Sequence, residues 1–278
     1  MPSCSNCGNP ISETDVRCSK CWTHIGFPNV RAAAAESGAL NKRYDAAVDA
    51  SRQRGAYDSL NKFEAQMKTT FAVISVDLPF LFFFLSNNKQ LYTNYQRGVR
   101  AQARKTADAE NDRHRNSVEG AIFGSYDEEI RHAALSLDGR GPSYGLFVLR
   151  LEDIAVRDRA SLLEENSYDF VEHQNLKKGR IPPGHRSVWQ ERHKLAVAKL
   201  AASVSGTTIE KEYPYLLLPA SNGRSSDKFI EVHIFGPLDI SAIESVRGKS
   251  KPRTKADQAL VVNIKAWLRK AGKAWVEE

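Results

Sequence analysis

The residues whose types and spacing most directly suggest chemistry are the four cysteines near the start of the chain. They form two pairs, Cys4-x-x-Cys7 and Cys18-x-x-Cys21, and the 278 residues contain no others. Two thiolates separated by two residues can both reach one ion, and two such pairs complete the tetrahedral set of four sulfurs found in structural zinc sites. We therefore expect Cys4, Cys7, Cys18 and Cys21 to hold zinc in a small N-terminal ribbon.

The same cysteine pattern has two weaker interpretations. Two disulfides would require an oxidising compartment, and the opening MPSCSNC has neither the charged lead nor the apolar core of a secretory signal. An iron–sulfur cluster is a weaker alternative still. Four protein ligands leave no open position on the metal, so the expected zinc is structural rather than catalytic. The ribbon itself can contact nucleic acid, contact a protein partner, or simply fix an N-terminus too short to have its own core.

A carboxylate in the segment FIEVHIF, residues 229–235, is the second candidate for chemistry. In a strand, alternation places Glu231 and His233 on one face and the apolar residues between them on the other. The apolar face predicts burial, which would give the two polar side chains a rigid mounting. The competing interpretation is an exposed glutamate on the edge of an antiparallel sheet.

The elements around these residues alternate between strands and separated helices, without regular βαβ units, which indicates an α+β fold. We expect strands at 71–76, 146–151, 215–218 and 229–235, and a long helix over 184–205 that ends at Gly206. Asp77 is expected to cap a short apolar helix that has Pro79 in its first turn.

Four blocks of sequence, at 133–145, 151–167, 184–201 and 229–246, resemble in their order bacterial ADP-ribosyltransferase-like domains, which occur among toxins and phage-defence proteins. Three features carry the likeness: a Tyr-Gly pair that opens a strand, an Arg-x-Ser element followed by Asn-Ser, and a late strand in which Glu alternates with apolar residues before a Gly. The resemblance covers roughly residues 70 to 246. It implies an α+β domain with a split mixed or antiparallel sheet and flanking helices.

The resemblance also implies a reaction and its residues. Breaking the bond between nicotinamide and ribose in NAD passes through an oxocarbenium-like state, which needs a carboxylate beside it. By resemblance Glu231 is that catalytic residue, and Asn166 with Ser167 matches the Asn-Ser element. The NAD-binding residues implied are Ser136, Tyr144, Asn94, Tyr95, Arg97, Arg100, Arg159 and Ser161.

Three details stay open. Tyr144 is as well explained by an ordinary half-buried aromatic position in a strand. Arg159 has an alternative role in an ion pair with Glu164 or Glu165. Related domains usually carry Arg or His on the first strand, whereas the segment 71–76 offers only Ser75, so NAD binding either uses a loop residue or is altered.

The charge of the chain is local. Its 40 basic and 33 acidic residues give a net charge of +7, but nine basic residues and one acid lie between Arg247 and Lys273. This tail is expected to form a basic linker followed by an amphipathic helix capped by Thr254. Such a run can contact nucleic acid or acidic lipid, or form a solvated face.

These observations divide the chain into four segments and exclude several classes. The expected segments are a zinc ribbon (1–25), a helical connector (26–69), a transferase-like domain (70–246) and the basic linker with its helix (247–278). With 41% apolar and 26% charged residues the chain is neither disordered nor fibrous, and it has no apolar stretch that could span a membrane. We expect a soluble cytoplasmic protein.

The leading hypothesis is an enzyme that transfers ADP-ribose from NAD to a macromolecular acceptor, with nucleic acid favoured and an antitoxin or chaperone as a further partner. The alternative is a non-catalytic zinc-ribbon adaptor for nucleic acid or protein, built on a degenerate transferase-like domain. A third option is a magnesium-dependent nuclease that uses Glu231, but the sequence offers no second carboxylate at a suitable spacing.

Overall fold

The computed structural model describes residues 3–87, 89–92, 109–176, 181–219, 227–249 and 254–278, with only the backbone of 109–112. The described strands form a single sheet of eight strands in the order β5-β4-β6-β2-β1-β3-β7-β8. All neighbours pair antiparallel except β7 and β8, which are parallel. The strands are β1 Phe71–Val76, β2 Ile130–Ser136, β3 Phe147–Leu151, β4 Ala160–Leu163, β5 Arg186–Val188, β6 Glu231–Phe235, β7 Ile243–Gly248 and β8 Ala274–Glu277.

Helices lie on both faces of this sheet, so the protein is a mixed α/β structure with the cysteine cluster at its N-terminus. None of the helices in the described ranges combines the length and the apolar character needed to cross a membrane. The helices are α1 Pro28–Ala34, α2 Ser37–Gln53, α3 Tyr57–Met67, α4 Leu78–Leu85, α5 Ala109–Phe123, α6 Asp153–Val156, α7 Ser167–His173, α8 Arg192–Leu200, α9 Tyr213–Leu217 and α10 Lys255–Lys270.

The larger core lies on the face of the sheet to which β6 contributes Val232 and Ile234, together with Ile230 just before the strand. A smaller core covers the opposite face of β6, where α5 and α7 pack over the strands through Phe123 and Phe170. The alternation expected for β6 is therefore observed, but both of its faces are buried. Since β6 lies between β4 and β2, Glu231 is not on an edge strand.

Two of the three helices of the expected connector, α2 and α3, belong to the larger core, and α1 is hydrogen-bonded to the sheet. Leu40 of α2 and Leu60, Phe63 and Met67 of α3 are at most 1% exposed within it. Asn29 of α1 donates through Nδ2 to the carbonyl of His233 at 2.8 Å. The four-segment division stays a prediction, and the structure adds that α2 and α3 share one core with the sheet.

The C-terminal segment is also packed into the fold. Thr254 caps α10 as expected, because its hydroxyl accepts the backbone N–H of Asp257 at 3.0 Å. Val261, Ile264 and Leu268 are buried in the larger core, and the chain then adds β8 to the edge of the sheet. The described part of the tail is thus a structural element with a basic outer surface.

The strand expected at 71–76 and the cap expected at Asp77 are both confirmed. Strand β1 covers Phe71–Val76, and Asp77 Oδ1 accepts the N–H of Phe80 at 2.8 Å. The strand expected at 146–151 is confirmed over Phe147–Leu151, while Leu146 is 83% exposed.

Three expectations about elements are wrong. Residues 215–218 are not a strand, because most of them belong to the short helix α9, which begins at Tyr213 and has Pro214 in its first turn. An apolar run this short does not by itself distinguish a strand from a helix. The helix expected over 184–205 is only Arg192–Leu200, because residues 186–188 pair with β4 as strand β5. The sheet expected to be split is continuous through the eight described strands.

Candidate functional site

The four cysteine sulfurs converge on one point. Cys4 Sγ lies 3.6 Å from Cys21 Sγ, Cys7 Sγ lies 3.6 Å from Cys18 Sγ, and all four sulfurs lie within 4.8 Å of one another. Four sulfurs around zinc, at about 2.3 Å each, are about 3.8 Å apart in a tetrahedron. The cysteines are free rather than disulfide-bonded. The cluster therefore fits one structural zinc ion.

The turns that carry the cysteines support this geometry. The N–H of Gly8 donates to the carbonyl of Cys4, and the N–H of Trp22 donates in the same way to Cys18, both at 2.9 Å. Both turn residues have a positive φ, 68° at Gly8 and 59° at Trp22. Hydrogen bonds from Thr23 and Asn6 lower the pKa of Cys21 to about 5, whereas, against a backbone hydrogen bond at Asn9, burial and the neighbouring cysteines raise the pKa of Cys7 to about 12. Zinc binding would therefore release the protons that the remaining thiols hold.

Arg31 of α1 fixes the ribbon to the rest of the protein. Its guanidinium donates to the carbonyls of Asp15 and Gly26 at 2.6 Å and to that of Glu13 at 2.8 Å. The ring of Phe27 packs on Phe235, the last residue of β6, with 5.4 Å between ring centroids. The ribbon is thus anchored at one end of the strand that carries Glu231.

Glu231 is the centre of a buried polar cluster between the sheet and helices α5 and α7. Its Oε1 lies 3.0 Å from Nδ1 of His132 on β2, and its Oε2 lies 3.0 Å from Nε2 of His233. Ser167, the first residue of α7, donates to Oε2 through its N–H at 2.9 Å and through its hydroxyl. Both carboxylate oxygens therefore have fixed partners, and Glu231 is only 7% exposed.

Electrostatics keeps this carboxylate ionised. Burial works to raise the pKa of Glu231, but the charge and hydrogen bond of His132, with the hydrogen bond of His233, lower it well below the usual value. Burial opposes the charge on His132, but the facing Glu231 outweighs it and raises the pKa of His132. Burial lowers the pKa of His233. The cluster therefore contains an ion pair between Glu231 and His132 beside a neutral His233.

A second carboxylate lies on the other side of His132. Oε1 of Glu119, on α5, is 3.7 Å from Nε2 of His132 and 3.6 Å from the guanidinium of Arg115. Burial raises the pKa of Glu119. His132 thus lies between two carboxylates, a pairing that the sequence did not indicate.

Two other chemical interpretations of the cluster are weaker. The donor atoms of His132, Glu231 and His233 lie within 4.8 Å of one another, so the three side chains are able to hold a metal ion. Hydrogen bonds from the imidazoles and Ser167 already occupy both carboxylate oxygens, so no ion is needed to explain the arrangement. Ser167 bonds to the carboxylate itself and lies 3.4 Å from His233, which is not the serine–histidine–acid order of a nucleophilic triad.

The structure places two of the predicted NAD-binding residues in structural roles. Ser161 faces His233 across β4 and β6, and its hydroxyl accepts from Nδ2 of Asn29 at 3.2 Å. Arg159 donates to the carbonyls of Ala155 and Pro237 at 2.6 and 2.9 Å, rather than pairing with either acid suggested from the sequence.

Ser136 and Tyr144 lie around the loop between β2 and β3. The Ser136 hydroxyl donates to the carbonyl of Arg140 at 2.8 Å and accepts from the N–H of Gly139 at 3.1 Å, so it shapes this loop. Tyr144 packs edge-on against Phe229, with 6.1 Å between ring centroids. Burial, followed by the charge of Glu231, raises the pKa of Tyr144. Its ring packs against the apolar cluster that contains Ala134, the residue paired with Glu231 across β2 and β6.

The Tyr-Gly pair also has a packing explanation. A Cβ on Gly145 would lie 2.2 Å from backbone atoms of Val76, so only glycine fits against β1 there. On the same strand Ser75 faces Gly141, whose Cβ would lie 2.2 Å from the Ser75 hydroxyl. The predicted residues Asn94, Tyr95, Arg97 and Arg100 lie outside the described residues.

His132 and Glu119 were not predicted from the sequence. Ser167 was predicted only as part of the Asn-Ser element, without its contact to Glu231. The signal for His132 was weak because the segment around it, residues 130–136, is buried along almost its whole length and shows no alternation of polarity. Glu119 is adjacent to His132 only through the packing of α5 on the sheet.

No protein-family model matches this chain, and none of the curated proteins matches it. The transferase-like interpretation therefore depends on the sequence blocks and on the physical character of the Glu231 cluster.

Proposed function

We propose that the protein transfers ADP-ribose from NAD to a macromolecular acceptor, with nucleic acid as the expected acceptor and Glu231 as the essential carboxylate. One observation carries the proposal: Glu231 is held ionised and in one orientation on an interior strand, by His132 on one oxygen and by Ser167 on the other. A fixed anion is what the reaction requires.

The reaction breaks the bond between C1′ of the ribose and the ring nitrogen of nicotinamide. The bonding electron pair leaves with nicotinamide, which departs neutral, and positive charge develops on C1′ and the ribose oxygen. The Glu231 carboxylate stabilises that charge and accepts a hydrogen bond from a ribose hydroxyl. The acceptor then attacks C1′ with a lone pair on oxygen or nitrogen and gives up its proton to solvent water.

The pre-formed hydrogen bonds have a kinetic consequence. A carboxylate that is already oriented needs no reorganisation when the charge develops, which is the main advantage of a site over water. Ser167 and His132 supply this orientation from α7 and β2. Tyr144 provides an aromatic surface on the same side, where nicotinamide can stack.

The zinc ion of the proposal is structural. Cys4, Cys7, Cys18 and Cys21 supply all four ligands, so the metal has no open position for substrate and takes no part in NAD cleavage. A role as a toxin or in anti-phage defence, with an antitoxin or chaperone partner, is implied by the sequence resemblance only.

The second candidate function is a non-catalytic zinc-ribbon adaptor for nucleic acid or protein. It is favoured by the burial of Glu231 and by the structural bonds of Ser161 and Arg159. It predicts binding that weakens steeply with salt and no turnover of NAD. Glu119 is a second carboxylate near Glu231, as a magnesium-dependent nuclease would need, but His132 lies between Glu119 and Glu231.

Incubation with NAD labelled in its adenylate half tests the proposal. Separate pools of RNA, single-stranded DNA and protein are added, with Glu231→Gln as the control. We expect label in a nucleic-acid pool with the wild type and none with the variant. Label in the protein pool would reassign the acceptor, release of nicotinamide without labelling would indicate a glycohydrolase, and the absence of both would support the adaptor.

A further inference from the structure

The two turns of the ribbon differ at one equivalent position. Gly8 follows Cys7 in the first turn and Trp22 follows Cys21 in the second, and both have a left-handed backbone, with φ of 68° and 59°. Glycine adopts this conformation at no steric cost, whereas a tryptophan is strained by its Cβ. The ribbon therefore tolerates a strained residue at a place where its other half uses the unstrained one.

Packing does not account for the tryptophan. The Trp22 side chain is 71% exposed, while Trp189 in the larger core is 2% exposed. A ring this exposed stabilises the fold little. A strained residue that makes no stabilising contact in return indicates a functional role.

The second knuckle, residues 16–24, contains two cations and no acid. Both cations, Arg17 and Lys20, are exposed. The guanidinium of Arg17 donates to the carbonyl of Trp22 at 3.2 Å, which places one cation beside the base of the ring. An exposed aromatic ring with adjacent cations complements a nucleobase and its phosphates.

We propose that the second knuckle binds single-stranded nucleic acid, with Trp22 stacked on a base and Arg17 and Lys20 against the phosphates. The inference deepens the proposed function, because it assigns the surface that would hold the acceptor. Binding is measured without NAD, so the two proposals fail separately: absence of NAD turnover leaves this inference standing.

The test is fluorescence anisotropy with the full-length, zinc-loaded protein and a labelled 12-nucleotide oligo(U), oligo(dT) or duplex DNA. Trp22→Gly removes the ring and relieves the backbone strain, so its zinc content and its melting temperature should equal or exceed those of the wild type. We expect it to bind both single strands about 5- to 150-fold more weakly, the range for loss of one stacked base. Trp22→Phe should restore most of the affinity.

Two further variants test the contribution of charge and control for the loss of an exposed apolar side chain. Lys20→Ala should reduce the salt slope of single-strand binding by about 0.7, as expected for one lost phosphate contact. Leu146→Ser, at a residue 83% exposed elsewhere on the surface, should leave binding unchanged.

Wild-type affinity in folded Trp22→Gly, no binding of single strands by the wild type at 50 mM salt, or duplex binding of equal strength would each overturn the proposal. Should Trp22→Gly lose zinc, ultraviolet crosslinking of the wild type to oligo(U) decides instead. An adduct on Trp22 supports the inference, and adducts confined to other residues contradict it. A protein that binds through Trp22, in the absence of any oligonucleotide binding, would likewise overturn it.

Discussion

His132 and Glu231 form an ion pair across two neighbouring strands, with His132 Nδ1 3.0 Å from Glu231 Oε1. The two residues are 99 positions apart in the chain and meet only because β2 pairs with β6. The histidine keeps the carboxylate charged in a place where burial alone would favour its neutral form. On this account His132 positions Glu231 and does not touch the substrate.

His132→Gln tests that relationship. Glutamine keeps a hydrogen-bond donor but removes the charge that lowers the pKa of Glu231, so the pKa of Glu231 should rise. Because catalysis needs the ionised carboxylate, the acid limb of kcat/KM for NAD should move to higher pH, with kcat about tenfold lower and KM little changed. A pH profile superimposable on that of the wild type would show that His132 has a structural role only.

The same ion pair predicts how stability depends on pH. Above about pH 4.5, the pKa of Glu231 in the unfolded chain, the ionised carboxylate stabilises the folded protein. This stabilisation is lost as the pH falls through the lower pKa of the folded state. Below about pH 6.5, the pKa of His132 in the unfolded chain, the protonated imidazole stabilises the folded protein. This stabilisation is lost as the pH rises through the higher pKa of the folded state. Glu231→Gln should therefore flatten the pH dependence of the unfolding free energy, measured by urea titration from about pH 2.5 to pH 8. An unchanged dependence would contradict the ion pair.

Removal of zinc should unfold the ribbon while leaving the sheet folded. Elemental analysis of the wild type should give one zinc per chain, and Cys18→Ser should give none, because the ribbon's own apolar cluster is too small to fold without metal. Limited proteolysis should then cleave within residues 3–25 in the variant and in chelator-treated wild type. Ser3→Ala is the control. A protein without zinc but with disulfides in non-reducing mass spectrometry would contradict the assignment.

Asn29 links the helical connector to the sheet, since its side chain donates to the carbonyls of Arg159 and His233 and to Ser161. Asn29→Ala should lower the free energy of unfolding by about 2 kcal/mol, because it leaves buried acceptors without a donor. Asn263→Ala, at an exposed position of α10, should change it by less than about 0.5 kcal/mol. Equal effects would mean that the hydrogen bonds of Asn29 do not stabilise the fold.

The basic tail is better tested by charge than by deletion. Removal of residues 247–278 takes away Val261, Ile264 and Leu268 from the core and strand β8 from the sheet, so it should destabilise the protein. Lys273 also forms an ion pair with Glu152, with 3.0 Å between Nζ and Oε1. The double variant Arg269→Ser with Lys270→Ser changes only exposed residues of α10. It should keep the melting temperature and reduce the salt dependence of acceptor binding; unchanged binding would mean that the tail serves only packing.

The local features of this protein could be predicted from its sequence. The spacing of the cysteines predicted a cluster, the alternation in β6 predicted a shared face for Glu231 and His233, and Asp77 and Thr254 were recognised as helix caps. Each of these depends on residues close together in the chain, where periodicity and capping rules apply directly.

The features that were missed depend on distant contacts. His132 meets Glu231 through strand pairing, and Glu119 meets His132 through helix packing, neither of which leaves a periodic signal. Residues 186–188 became a strand rather than part of a helix because β4 offered a partner. A short apolar run such as 215–218 is compatible with either state until its flanking proline is given weight.

The most direct test of the central claim is nicotinamide release from millimolar NAD by the wild type and by Glu231→Gln. Circular dichroism and zinc content should first show that both proteins are folded. We expect release by the wild type and a loss of at least about 100-fold in the variant, since an electrostatic stabiliser of the transition state is removed. Equal rates in the two proteins, or no release by the wild type, would contradict it.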